Sequence, residues 1–280
     1  MPIWLENAGH MELFLAAAPM AVVARNNVRE RLLVPPLFAA HAPLIWEQSP
    51  AWACRGSKEQ ADLIVDLAGL AGPVHALQFL SQALLGPEAE VPPPPFWNPP
   101  PVRQHDLVVH LGPQIRLPDH EVALPDILRE VRWPKGTSFV GGSKDGFLPG
   151  YLDLRAENPM AIRETVRRAR IFVGVPSVLA YVAAASGVQT LCVWADAIHP
   201  QRFGVHVWKQ DDSILNGPAH KAIPTIIQWI ETVARYRTGE TLMLPPFPKD
   251  QQDVLTSSRE PWKSVTPIDQ IRRKGQKWPR

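Results

Sequence analysis

The chain has 280 residues, 45% of them hydrophobic, and 29 lysines and arginines nearly balance 27 acidic residues. It therefore lacks the strong basic bias of a nucleic-acid binder. No apolar run approaches the ~20 residues of a membrane span. The opening MPIWLENAG has no basic segment followed by a long apolar core, so no signal peptide is read and a cytoplasmic location is expected. The two cysteines, Cys54 and Cys192, are too far apart to suggest a disulfide framework or a zinc spacing.

In chain order, residues 2–6 read as a short strand and residues 9–18 as a helix with Met11, Leu13, Phe14, Leu15 and Ala18 apolar. Pro19 interrupts the apolar run, so residues 20–24 read as a strand. Residues 27–33 read as helical, and 44–47 as a further strand. A strong strand over 61–67 is followed by a helix over about 73–85. Strand and helix in alternation argue for a parallel sheet covered on both faces.

The run VPPPPFWNPPPV at 91–102 breaks this pattern. Consecutive prolines cannot continue a helix or a central strand, and they favour a semi-rigid extended connector. Docking to a proline-reading partner is the alternative. The predicted organisation is thus a first domain at 1–90, a linker at 91–102, a second domain at 103–243, and a tail at 244–280 that crosses back onto the first domain.

Alternation resumes after the linker. Residues 106–111 read as a strand ending at Gly112–Pro113, 125–131 as a short helix, and 137–140 as a strand ending in Gly141–Gly142–Ser143–Lys144. Residues 151–154 read as a strand and 158–170 as a helix capped by Asn158 with Pro159 in its first turn. The stretch FVGVPSVLAYVAAASGVQTL at 172–191 is the most informative. It reads as buried strand (171–175), turn at Pro176–Ser177, helix (178–185), glycine stop at Gly187, and buried strand (188–194). A last helix is expected over about 224–237.

The turn at Pro176–Ser177–Val178 lies at the carboxyl end of a strand and the amino end of a helix. Free amides and a positive dipole end favour phosphate there. The amides of Ser177, Val178 and Leu179, with the Ser177 hydroxyl, are the candidate diphosphate site; the alternative is an ordinary cap. Gly141 and Gly142 allow close approach of backbone to a ligand, and Ser143 and Lys144 follow them. Gly112 after the preceding strand is a weaker candidate. Asp196, His199, Gln201 and Arg202 follow the strand at 188–194, and a guanidinium such as Arg202 makes bidentate phosphate contacts.

This stretch resembles the heptosyltransferase family of glycosyltransferases (glycosyltransferase family 9), whose run is V-G-x-D-[ST]-G-x-x-H-x-A-A-A-x-G-x-P-T. Val173, Gly174, Ser177, Ala183, Ala184, Ala185, Gly187 and Thr190 match it. Pro200, Arg202 and Gly204 match the loop that follows. Pro176 stands where the family has an acid, Val178 where it has a glycine, and Tyr181 where it has a histidine, which makes Tyr181 a candidate contact to donor sugar or nucleotide.

The resemblance implies an α/β protein of two Rossmann-like, doubly wound domains facing across a cleft, the GT-B fold. It implies transfer of a sugar from a nucleotide-diphospho-sugar, which serves as co-substrate with no further cofactor. Inversion at the sugar carbon follows from the resemblance alone. No D-x-D triplet occurs, so a metal-independent displacement is expected. The acceptor is open between a glycan, a small molecule and modified DNA. The family's base, an Asp after the first strand, corresponds to His10, whose imidazole suits proton abstraction near neutrality. Glu12 is the second candidate and Glu6 the third. The alternatives are a non-catalytic nucleotide-sugar-binding module of the same fold and a nucleotide-sugar epimerase. The basic cluster Arg272, Arg273, Lys274, Lys277 and Arg280 reads as a solvated tail. Trp4 or Trp97 could stack on a sugar.

Overall fold

The computed structural model describes residues 1–8, 10–27, 29–39, 53–67, 75–92, 102–112, 128–194 and 214–218, with short pieces at 204, 224, 227–228, 230–232 and 271–273. The chain divides into two units: Met1–Phe96 with Pro261–Arg280, and Trp97–Glu260. Among the described residues no helix is long and apolar enough to cross a membrane.

The first unit contains β1 (Pro2–Glu6), α1 (His10–Asn26), β2 (Arg31–Val34), α2 (Pro36–Ala39), β3 (Ala53–Arg55), a 3-10 turn (Lys58–Gln60), β4 (Leu63–Asp66) and α3 (Ala76–Leu85). Its sheet runs β11-β4-β1-β2-β3, where β11 (Ile271–Arg273) is antiparallel to β4 and the other pairs are parallel. Arg272 and Arg273 of the basic cluster thus stand in a strand. Period-two alternation buries Ile3 and Leu5 of β1 and Leu63 and Val65 of β4 on one face.

Two expectations fail here. Residues 20–24 are not a strand, because α1 continues through Pro19 to Asn26. Pro19 removes one intrahelical donor, at a cost of about 3 kcal/mol. Burial of Leu13, Phe14, Leu15 and Met20, with α1 packed on α3, outweighs that loss. Residues 27 and 29–33 are not helical. Asn27 Oδ1 accepts from the Arg29 amide at 3.1 Å and closes a turn. Leu32 and Leu33 then enter β2 beside β1, where both are buried.

The second unit contains β5 (His105–His110), β6 (Ser138–Phe139), β7 (Leu152–Asp153), α4 (Pro159–Arg167), β8 (Ala169–Gly174), α5 (Val178–Ala185), β9 (Gln189–Trp194) and β10 (Ile214–Pro218). Its sheet is parallel throughout, in the order β10-β9-β8-β5-β6-β7. Leu107, Val109 and Leu111 join Ile171, Val173, Val175, Leu191 and Val193 in one core with Trp133 and Phe139. The intervening strand residues face the opposite side, where α4 and α5 pack. Both faces are covered, which is why these strands read as continuous apolar runs.

Local signals set the helix ends. Asn158 Oδ1 accepts from the Met160 amide at 2.8 Å, and Pro159 opens α4. The helix stops at Arg167, short of the expected residue 170, because β8 begins at Ala169. Helix α5 closes in a Schellman turn: Val188 N–H donates to Ala183 O at 3.0 Å, Gly187 N–H to Ala184 O at 3.1 Å, and Gly187 has φ 65°. The expected strand at 44–47, most of the linker with Trp97, residues 125–127 of the expected helix at 125–131, and most of the helix at 224–237 lie outside the described residues; of residues 128–131, only 128 and 129 are helical. So do Lys274, Lys277 and Arg280.

Arg103 ties the ends of the two helices together. Its Nη1 donates to Arg167 O at 2.6 Å and Ala169 O at 3.2 Å, and its Nη2 to Ser186 O at 3.3 Å and Gly187 O at 3.2 Å. A cation at helix carboxyl ends is favoured by the helix dipole. Arg103→Ala is expected to cost about 1.5–3 kcal/mol, the usual worth of charged hydrogen bonds. Arg103→Lys should recover little of it, because an ammonium lacks the planar fork. Urea unfolding of the three proteins measures both differences.

Candidate functional site

In the second sheet the chain leaves β5 for β6 on one side and later places β8 on the other. The order therefore reverses between β5 and β8, and in open α/β sheets ligands bind at the carboxyl ends of strands flanking such a reversal. His110 is the last residue of β5 and pairs in register with Gly174, the last of β8. Alternation sends Val109 and Leu111 into the core and turns His110 to the opposite face. Gly174 leaves room for it, since a Cβ there would lie 3.1 Å from His110 Cβ.

Both ring nitrogens of His110 are engaged. Nε2 lies 3.0 Å from Asp145 Oδ2, and Nδ1 lies 3.0 Å from Ser177 Oγ. The side chain of His110 is 7% exposed and that of Asp145 13%. An ionised carboxylate only accepts, so Nε2 carries a proton. In the neutral ring Nδ1 accepts from the Ser177 hydroxyl; in the protonated ring it donates to Ser177 Oγ.

Asp145 is held by the loop that follows β6. Gly141 has φ 133°, and the Gly142 amide donates to Asp145 Oδ2 at 2.6 Å. The Gly146 amide donates to Gly112 O at 2.9 Å, which fastens the loop to the exit of β5. Gly112 has φ 69°, and a Cβ there would overlap Val175 Cγ2. Arg155 Nη1 donates to Asp145 O at 2.6 Å. Its Nε and Nη2 bind the Asp153 carboxylate at 2.9 and 2.8 Å, and its guanidinium stacks 4.6 Å from the Phe147 ring centre.

Burial works against the charge on Asp145, but the His110 and Gly142 hydrogen bonds and the nearby Arg155 outweigh it and hold the carboxyl below its ordinary value. A lowered folded-state value means that ionised Asp145 stabilises the fold above about pH 4, and that this contribution is lost as pH falls through the folded-state value. Asp145→Asn is therefore expected to lower the guanidinium midpoint near neutral pH. The gap from the unsubstituted protein should narrow steadily below about pH 4. A gap that stays constant with pH would contradict the assignment.

Ser177 precedes α5 and makes no capping hydrogen bond with its side chain, which is engaged with His110 instead. The first amides of a helix have no acceptor within it. The side chains of Val178 and Leu179 are buried, so these residues can offer a ligand only their backbone. Gly142, Ser143 and Lys144 are exposed beside the loop. The structure thus brings Gly112, Gly141, Gly142 and Ser177 to one edge. Tyr181 is 1% exposed among the core residues of α5. Asp196, His199, Gln201 and Arg202 lie outside the described residues.

The first sheet has a similar reversal between β1 and β4, whose last residues Glu6 and Asp66 pair in register. Asn7, at φ 60°, donates to Asp66 Oδ1 at 2.8 Å, and Lys58 pairs with Glu6. Glu12 is part-exposed in the first turn of α1. His10 begins α1, and its side chain lies outside the described residues.

Sequence reasoning missed His110, Asp145 and Arg155. A histidine closing an apolar strand just before Gly112 is the available signal for the first. Asp145 stands one residue beyond the Gly141–Lys144 run.

No family model matches the sequence, and no curated protein matches it. Solved structures do. The iron-containing dodecameric glycosyltransferase TibC from enterotoxigenic E. coli is 11% identical with a TM-score of 0.48, over 72% of this chain and 62% of that one. The E. coli heptosyltransferase WaaC with ADP is 12% identical with a TM-score of 0.46, over 81% and 99%. A family 9 glycosyl transferase from Veillonella parvula is 9% identical with a TM-score of 0.48, over 92% and 95%. The chain spans 62% of the length of the TibC chain that it matches.

Proposed function

We propose that the protein is a glycosyltransferase that moves a sugar from a nucleotide-diphospho-sugar to an acceptor hydroxyl. The reading rests on one observation above the others: His110, Ser177 and Asp145, from three separate segments, meet where the strand order of the second sheet reverses. The diphosphate would lie on the first amides of α5 and the Ser177 hydroxyl, with the exposed Lys144 as counter-charge. Oriented amides and cations stabilise the charge that develops as the diphosphate departs.

The acceptor would meet the first unit, where His10 and Glu12 are the candidate bases. Glu6 is already paired with Lys58. We place no metal in the reaction, on the ground that the sequence lacks a D-x-D triplet, and we take inversion from the sequence resemblance. Pro176 replaces the family's acid, yet Asp145 supplies a carboxylate at the same corner from a different loop.

Thermal unfolding with ADP-, UDP- and GDP-sugars tests the reading. A bound donor should raise the midpoint, since ligand at about a hundred times its Kd adds about 2.7 kcal/mol. Sugar transfer or slow donor hydrolysis should accompany binding. Absence of both binding and turnover across the panel overturns the proposal; binding without turnover points to a nucleotide-sugar-binding module.

A further inference from the structure

We propose that His110 takes up a proton when the diphosphate binds, and that this proton turns the Ser177 hydroxyl toward the ligand. The inference rests on the function proposed above, because the nucleotide-sugar diphosphate is its ligand.

The geometry gives His110 two states with opposite consequences. Asp145 fixes the proton on Nε2 in both. When the ring is neutral, Nδ1 accepts a hydrogen bond from the Ser177 hydroxyl, so Ser177 shows only lone pairs to the mouth of α5. An anion is repelled by them. When the ring is protonated, Nδ1–H donates to Ser177 Oγ across the same 3.0 Å. The hydroxyl hydrogen is then free to donate to a phosphate oxygen, and the ring adds a positive charge behind it.

The chain neighbours of His110, Val109 on β5 and Leu111 just beyond it, are apolar, and β8 presents Gly174. The loop after β6 contributes Asp145, which favours the protonated ring, and the exposed Lys144. Arg155 binds the Asp145 carbonyl but is itself paired with Asp153. The positive end of α5 opposes a charged ring. A bound diphosphate reverses that opposition. The proton comes from solvent onto Nδ1 and returns when the ligand leaves; no covalent bond between heavy atoms changes.

The test is calorimetric titration of the full chain with ADP-glucose, UDP-glucose and GDP-mannose in buffers of different ionisation enthalpy. The diphosphates of these probes are esterified at both ends and do not titrate near neutrality, so a proton counted belongs to the protein. Imidazole changes charge between about pH 5 and 8. Uptake should approach one proton per ligand toward the alkaline end of that window, with affinity falling up to about tenfold per pH unit. Ser177→Ala and His110→Gln should both flatten that dependence. The proton count on the unsubstituted protein stands even where His110→Gln fails to fold. Binding without proton uptake, or a Ser177→Ala protein with the full pH dependence, overturns the inference and leaves the proposed function intact. Failure of every probe to bind overturns both.

Discussion

Phe139→Ala is expected to destabilise the second unit by about 3–5 kcal/mol, the range for deleting a buried phenyl ring. Phe139 is fully buried in the two-residue strand β6. Its ring meets Trp133 and Phe147 edge-on, at centroid distances of 6.3 and 5.7 Å, and Tyr151 at 5.5 Å. Such a short strand has little backbone pairing of its own, so the aromatic cluster fixes where β6 ends. The loop carrying Gly141 and Asp145 starts there. The substitution should therefore lower the urea midpoint and weaken donor binding together. A loss below about 1 kcal/mol would show that the cluster does not hold β6 in place.

Gly141→Ala is the second large effect. At φ 133° an L side chain is strained, which costs about 1–3 kcal/mol. The new Cβ would also overlap Asp145 Oδ2 and lie 2.9 Å from His110 Cδ2. Asp145 must leave, and His110 loses the partner that fixes its Nε2 proton. Donor binding should fall at least about tenfold, a loss of about 1.4 kcal/mol, and the fold should weaken as well. Gly142→Ala is the control. A Cβ there meets nothing nearer than Asp145 Oδ2 at 3.7 Å, and its amide still donates to Asp145. That protein should unfold much as the unsubstituted one does, with the Asp145–His110 contact kept. Equal behaviour of the two alanine variants would remove the geometric argument for the site.

The sheet of the second unit is legible in the sequence because its strands are buried on both faces. The runs at 106–111 and 171–175 could hardly be anything else, and α5 spans the expected residues because Ser177 and Gly187 bound it. The first unit is harder to read. Pro19 is a local signal for a break, and only the packing of α1 on α3 overrides it. The partners of His110 lie 35 and 67 residues away in sequence, so no local pattern could pair them. Tyr181 stands where the resembling family has a histidine, but that position of α5 is buried here.

Strand β11 belongs to the first sheet, yet the ribosome makes it only after the whole second unit. At ordinary elongation rates that delay is on the order of ten to thirty seconds. During it the outer edge of β4 stays unpaired, in the condition that invites association with other chains. A fragment ending at Phe96 would carry that open edge permanently, so the first unit is complete only when both stretches of the message have been read.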